Sequence, residues 1–186
     1  MKTYLVTGAA GFIGANYIKH ILAKHDDVKF VILDALTYAG NLGTIAKDID
    51  DERCIFVKGD ICDRVLADEL FAKFKFDYVV NFAAESHVDR SIENPQLFLV
   101  TNILGTQNLL DAARRAWVTG KDENGYPTWR KGVAIIRFLP MKCMAHWVPK
   151  DTSQSKLRFV RTVLTVLPKQ VPIWWLWLIM IRIRCR

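Results

Sequence analysis

The sequence predicts an α/β fold built on a doubly wound parallel sheet, and three observations predict it. Short, continuously apolar runs recur at residues 28–33, 54–57 and 78–82, the pattern of strands covered on both faces. Stretches with helical spacing separate them, which is the alternation of parallel strands joined by right-handed crossovers. A glycine-rich turn stands between the first strand and the first helix. Hydrophobic residues are 51% and charged residues 24% of the 186 positions, a balance that excludes general disorder and low-complexity classes. The length gives room for one domain, or for one and the start of a second.

Taken in order, residues 4–7 are the first strand. Residues 11–24 read as a helix with Ile13, Tyr17, Ile18, Ile21 and Leu22 on one stripe. Residues 28–33 and 54–57 are the second and third strands. Residues 63–74 have helical spacing with Asp63 placed to cap the start. Residues 78–82 are the fourth strand, and His87, Asp89 and Arg90 fall in the loop after it, as surface residues. Residues 94–117 hold a further helix, with Leu97, Val100, Leu104, Leu109 and Leu110 apolar and Pro95 near its start.

The first strand runs into Gly8-Ala9-Ala10-Gly11-Phe12-Ile13-Gly14. In such a G-x-x-G-x-x-G loop the first glycine allows a tight turn, the second lets the backbone approach a pyrophosphate, and the third allows close helix–strand packing. The helix start supplies unpaired N–H groups and a positive dipole end. An acidic residue about twenty positions on completes a dinucleotide-binding fingerprint, and Asp34 stands there. Its carboxylate suits the two hydroxyls of an adenosine ribose and repels a 2′-phosphate, so NAD is expected rather than NADP. The bland alternative is a solvated acid at a strand end. Asp60 and Ile61 follow the third strand at the same sheet edge, suited to an adenine amino group and ring; the lesser alternative for Asp60 is to cap a helix. Phe82-Ala83-Ala84-Glu85-Ser86 ends the fourth strand with small side chains that leave room for a nicotinamide ribose, or simply pack.

Four longer strings carry a more specific signal. Residues 7–14, Asp34-Ala35-Leu36-Thr37-Tyr38-Ala39-Gly40-Asn41, Lys58-Gly59-Asp60-Ile61-Cys62-Asp63 and residues 81–91 (Asn-Phe-Ala-Ala-Glu-Ser-His-Val-Asp-Arg-Ser) resemble the dTDP-glucose 4,6-dehydratases, nucleotide-sugar enzymes of the extended short-chain dehydrogenase/reductase group. The likeness continues through Thr101-Asn102 and Gly105-Thr106 to about Val133. It implies a NAD-binding Rossmann fold with strand order 3-2-1-4-5. It also implies NAD contacts at Phe12, Ile13, Asp34, Ala35, Leu36, Thr37, Asp60, Ile61, Phe82, Ala83, Ala84, Glu85, Ser86 and Thr101, beside the loop glycines Gly8, Gly11 and Gly14. Ser86 is implied to touch the nucleotide sugar as well. Ala35 departs from the Lys common at its position, which weakens one cofactor contact. Enzymes of this kind oxidise the sugar at C4 with tightly held NAD, eliminate water across C5–C6 and return the hydride to C6. A Tyr in a Y-x-x-x-K helix is the base, and an Asp-Glu pair in S-T-D-E-V-Y-G handles the elimination. This chain contains neither motif, so no catalytic residue is assigned.

Composition changes where those motifs are due. Residues 1–133 carry 16 Lys+Arg against 18 Asp+Glu, whereas residues 134–186 carry 10 against 1, four of the six tryptophans and none of the ten glycines. The net charge of +7 therefore sits in the tail and does not mark a nucleic-acid-binding domain. The genetic code offers an origin. If one nucleotide is lost near Ala134, each earlier codon is the third base of one present codon plus two of the next. Met and Trp have single codons ending in G, so Met141-Lys142 must give Glu, Met144-Ala145 and Trp147-Val148 Gly, Trp174-Trp175 Val, and Met180-Ile181 Asp. Residues 134–148 then decode as Y-H-Q-V-S-T-D-E-V-Y-G-S-L-G, and residues 161–169 as H-S-P-Y-S-S-S-K. Residues 1–133 are thus expected to be an incomplete NAD-binding domain without its substrate domain, and residues 134–186 an out-of-frame tail.

Three function classes follow: an inactive NAD-binding fragment of that lineage, an active dehydratase, and a basic-tailed module for anions or membranes. The third rests on the apolar run 173–181 followed by Arg182, Arg184 and Arg186, which the shifted frame explains as a by-product. The expected partner is a nucleotide sugar, with neither nucleic acid nor membrane. The family's homodimer is built partly by the Y-x-x-x-K helix, whose loss undercuts dimerisation here. Cys54, Cys62, Cys143 and Cys185 show no C-x-x-C pairing, and His146 no metal-site spacing, so a reduced, cytoplasmic protein without a metal is expected. Residues 133–139 remain apolar enough for a fifth strand.

Overall fold

The computed structural model describes residues 1–49 and 52–138. Its main sheet contains β1 (Lys2–Thr7), β2 (Val28–Asp34), β3 (Cys54–Lys58), β4 (Tyr78–Asn81) and a last strand over Ala134–Arg137. All neighbours are parallel, and the last strand lies outside β4, so the spatial order is the expected 3-2-1-4-5. The last strand is the seventh in the chain, because a short antiparallel hairpin of β5 (Val118–Lys121) and β6 (Pro127–Trp129) precedes it. It is therefore β7.

Register explains why the strands read as unbroken apolar runs. Ile55, Val31, Leu5, Val79 and Ile135 form one row across the five strands. That row faces a core shared with α3 (Arg64–Phe74) and α6 (Thr106–Trp117), through Ala67, Leu70, Phe71, Leu109, Ala112, Ala113 and Trp117. The adjacent row, Phe56, Ile32, Val6 and Val80, faces the opposite core with Ala15 and Ile18 of α1 (Phe12–Leu22). Alternate residues bury into different layers, so nearly every position must be apolar. Trp117 anchors the end of α6 by donating its indole N–H to the Phe76 carbonyl at 2.8 Å.

The helix boundaries follow local chemistry. Asp63 caps α3, its Oδ1 accepting from Leu66 N at 3.0 Å. Asn94 accepts from Leu97 N, and Pro95 opens α5 (Pro95–Leu99), where its missing N–H costs nothing. The stretch expected as one helix over 94–117 is continuous but not uniform. Val100–Gly105 forms a π-helical turn between α5 and α6. Two contacts coincide with it: Asn102 binds the backbone of Glu85, and Gly105 packs against Ile61, where an added Cβ would sit 2.6 Å from Ile61 Cδ1. Such turns commonly mark functional positions.

Two elements were not expected, α2 (Leu42–Ile49) and the β5–β6 hairpin. The loop expected over 87–90 is instead the start of α4 (Val88–Glu93), with Asp89 in its first turn. No helix of the described residues is long and apolar enough to cross a membrane. Among them no three His, Cys, Asp or Glu side chains gather as a metal site. Cys143, Cys185, His146, the run 173–181 and most of the 134–186 segment lie outside the described residues.

Candidate functional site

The carboxyl ends of β1 to β4 share one edge of the sheet, where a parallel α/β fold places its ligand crevice. A cleft of about 170 Å³ opens there. Of the sequence-expected residues it brings together Gly8, Gly11, Asp34, Ala35, Thr37, Asp60, Ile61, Phe82, Ala83, Ala84, Glu85 and Thr101.

The glycine loop forms one wall. Gly8 has φ +66°, and a Cβ there would lie 2.5 Å from Ala83 N, so both backbone conformation and the close approach of β4's loop exclude a side chain. Gly14 lies against Ala9, where a Cβ would meet Ala9 Cα at 2.7 Å. Gly14 therefore packs the helix onto the loop instead of lining the cleft. Gly11 is the N-cap of α1 and no side chain caps it, which leaves first-turn amides and the positive helix end for another acceptor. Phe12 and Ile13 begin that helix with side chains 81% and 62% exposed. Neither is among the residues that line the cleft.

Asp34 ties the loop to the next wall. It is 7% exposed; Oδ2 accepts from Ala10 N at 2.9 Å and Oδ1 from Leu36 N at 2.8 Å. Each carboxylate oxygen keeps a second lone pair, so the group that fixes the glycine loop also has acceptor capacity facing the cleft. Leu36 adopts φ +54°, uncommon for a side-chain-bearing residue, and packs into the core beneath. It too does not line the cleft.

The third and fourth walls differ. Asp60 is exposed, with Oδ1 accepting from Cys62 N at 2.9 Å, while Ile61 is 3% exposed and belongs to the core beside α6. Glu85 is fixed through its backbone, N–H to Asn102 Oδ1 and carbonyl from Asn102 Nδ2, both at 2.9 Å. Ser86 is exposed and outside the cleft lining. Leu33, Ala39, Gly40, Gly59 and Leu97 line the cleft without having been expected. Gly40 had a legible signal, being a loop glycine inside the Asp34–Asn41 string; a Cβ on it would approach Asp34 Oδ1 to 2.9 Å. Leu97 comes from α5 and read in the sequence only as an apolar helix residue.

Burial moves the titration of two groups near the cleft away from neutrality. Cys62, at the cleft's edge, is pushed up to about 11 by burial and then by the Asp60 charge. Tyr17, behind Phe82, is pushed up to about 12 by burial and then by Tyr4. Both stay protonated near neutral pH. The cleft offers backbone donors, carboxylate acceptors and small side chains, which suit holding a dinucleotide.

The sequence pattern of the GDP-mannose 4,6 dehydratase family matches residues 5–124. The dTDP-glucose 4,6-dehydratase of Xanthomonas campestris pv. campestris (strain B100) is 52% identical over 117 residues, 63% of this chain and 33% of the relative. The low-salt glycan biosynthesis protein Agl12 of Haloferax volcanii is 55% identical over 109 residues, 59% of this chain and 34% of the relative. Among solved structures, a dTDP-glucose 4,6-dehydratase from Streptomyces venezuelae with NAD bound superposes with a TM-score of 0.57 at 44% identity, over 61% of this chain and 36% of that one. The chain spans about a third of the length of the curated relatives it matches. With well over half of its residues matched and the parallel sheet and cleft in place, the chain belongs to the GDP-mannose 4,6 dehydratase family, its N-terminal region matching the dTDP-glucose 4,6-dehydratases.

Proposed function

We propose that residues 1–133 are the NAD-holding part of a dTDP-glucose 4,6-dehydratase and that residues 134–186 are an out-of-frame tail, so that the chain binds NAD without turning over sugar. The observation that carries the cofactor reading is Asp34: a buried carboxylate at the end of β2, bonded to the glycine loop at Ala10, with lone pairs to spare. A ribose diol needs two such acceptors, and a 2′-phosphate would be repelled. The glycine cradle fits a diphosphate, because the close packing at Gly8 leaves no side chain to block the helix start.

Asp34 would hold the adenosine ribose, Asp60 and Ile61 the adenine, and the amides after Gly11 the phosphates. Ala83 and Ala84 would border the nicotinamide end, Thr101 would flank it, and Ser86 would meet the nucleotide sugar. When bound, NAD supplies the hydride acceptor that oxidation at a sugar carbon requires. The chain has neither the Asp-Glu pair nor the Tyr-Lys couple of the relatives, and loss of such a set removes nearly all rate enhancement.

Calorimetry on the purified chain should give a NAD binding signal that Asp34→Ala weakens; folded protein without a signal would overturn the cofactor reading. Measurable 4-keto sugar from dTDP-glucose would overturn the inactivity. A DNA sequence around codon 134 that cannot spell the decoded motifs would overturn the tail assignment.

A further inference from the structure

The loop between β2 and α2 is pinned at its base and reaches across the cleft at its tip. Leu36 N donates to Asp34 Oδ1 at 2.8 Å, and Asn41 N to the Ala10 carbonyl at 3.1 Å. Between these anchors Gly40 N donates to the Thr37 carbonyl at 3.1 Å, a turn that carries Tyr38 at its corner. Thr37 and Ala39, on either side of Tyr38, line the cleft. Tyr38 itself is 53% exposed, yet its ring is occupied on the far side of the crevice. The Arg90 guanidinium of α4 lies 4.2 Å from the ring centroid, and the His87 ring meets it edge-on at 6.4 Å. Phe82 to Glu85, immediately before His87, form the opposite wall. The contact thus joins the tips of two walls whose bases belong to different strands.

We propose that Tyr38 and Arg90 form a strap across the mouth of the cleft that sets how fast a bound dinucleotide leaves. The inference rests on the NAD reading above. A cation over a tyrosine face attracts the ring quadrupole, and here the attraction holds the 37–40 turn against a helix. The hydroxyl plays no part in it, so a phenylalanine ring serves as well. A ligand held under the strap leaves only when the 37–40 turn swings away from α4.

The test has a ligand-free and a ligand-bound arm, both on the full 186-residue chain. In the ligand-free arm, Tyr38→Ala and Arg90→Ala should each speed amide hydrogen exchange at Gly40 and Asn41, with Tyr38→Phe matching the parent. In the second arm, NADH is bound and chased with excess NAD while its fluorescence is followed. Each alanine variant should raise the dissociation rate roughly threefold to tenfold, the double variant no more than either alone, and Tyr38→Phe should stay at the parent rate. Arg90→Met carries the same test from the helix side should Tyr38→Ala fail to fold. NADH binding with an unchanged dissociation rate in the alanine variants overturns the strap and leaves the cofactor reading standing. So does a Tyr38→Phe rate equal to that of Tyr38→Ala. A parent chain that binds no NADH overturns the cofactor reading and the strap with it.

Discussion

The two halves of the cleft are built differently. On the β1–β2 side the polar groups close on themselves: Asp34 takes the Ala10 and Leu36 amides, and Ala10 returns its carbonyl to Asn41. On the β4 side the backbone of Glu85 is clamped by Asn102, but its Oε2 is buried and has no hydrogen-bond partner among the described residues. The apolar side chains of Leu99, Ile103 and Leu104 on the neighbouring helix are also about half exposed. A satisfied network is rigid before any ligand arrives, whereas a buried acceptor without a donor carries a desolvation penalty. The β1–β2 side of the crevice is thus fixed by its own hydrogen bonds, and the β4 side keeps an acceptor unsatisfied among the described residues.

Four measurements break or sharpen that contrast. Gly8→Val should have the largest effect, about 3 kcal/mol of lost stability, since a Cβ meets Ala83 at 2.5 Å in a positive-φ conformation. Urea denaturation reads it, and a loss below about 1 kcal/mol would mean that the two walls do not meet at Gly8. Ile135→Ala should cost about 2–3 kcal/mol, because β7 buries that side chain to 3% exposure beside Val79; a neutral result would remove β7 from the sheet. Asp34→Ala should cost about 2 kcal/mol by orphaning two amides and weaken NAD at least about tenfold. Equal stability loss with unchanged affinity would separate the loop clamp from the ligand site. Arg115→Ala should cost only about 0.5 kcal/mol, because its 2.5 Å pair with Asp68 is roughly 40% exposed at both ends.

Cys62 gives the contrast a pH handle. Its folded-state pKa is raised, to about 11 from an ordinary value of 9.0, because burial and the Asp60 charge both disfavour the thiolate. Its contribution to stability is therefore complete below pH 9 and is lost as pH rises through about 11. Alkylation by iodoacetamide at pH 8.5 should run slower than for a free thiol, and Asp60→Asn should quicken it. A rate equal to that of the unfolded chain would show the β3 edge of the cleft to be open.

Legibility followed the range of the interactions. The parallel strands were readable because burial on both faces leaves continuous apolar runs, and Asp63 because an N-cap bonds three residues along the chain. The helix over Val88–Glu93 was not, since Asp89 and Arg90 look like surface residues and His87 caps it without a side-chain bond. The site split the same way. Gly8, Asp34 and the Phe82–Glu85 wall were visible as strand-end motifs. Phe12, Ile13, Leu36 and Ser86 were named with them, although none of their side chains lines the cleft.

Sequence alone determined the alternation of strands and helices, the dinucleotide fingerprint and the break in composition near Val133, because each is a pattern along the chain that needs no contact to be read. Tertiary structure alone decided that Leu97 and Thr101 reach the same crevice as Gly8, that Asn102 grips Glu85, and that Tyr38 meets Arg90 across its mouth. Those pairs lie 17 to 93 positions apart, and only the register of the sheet and the packing of the helices bring them within a few ångströms.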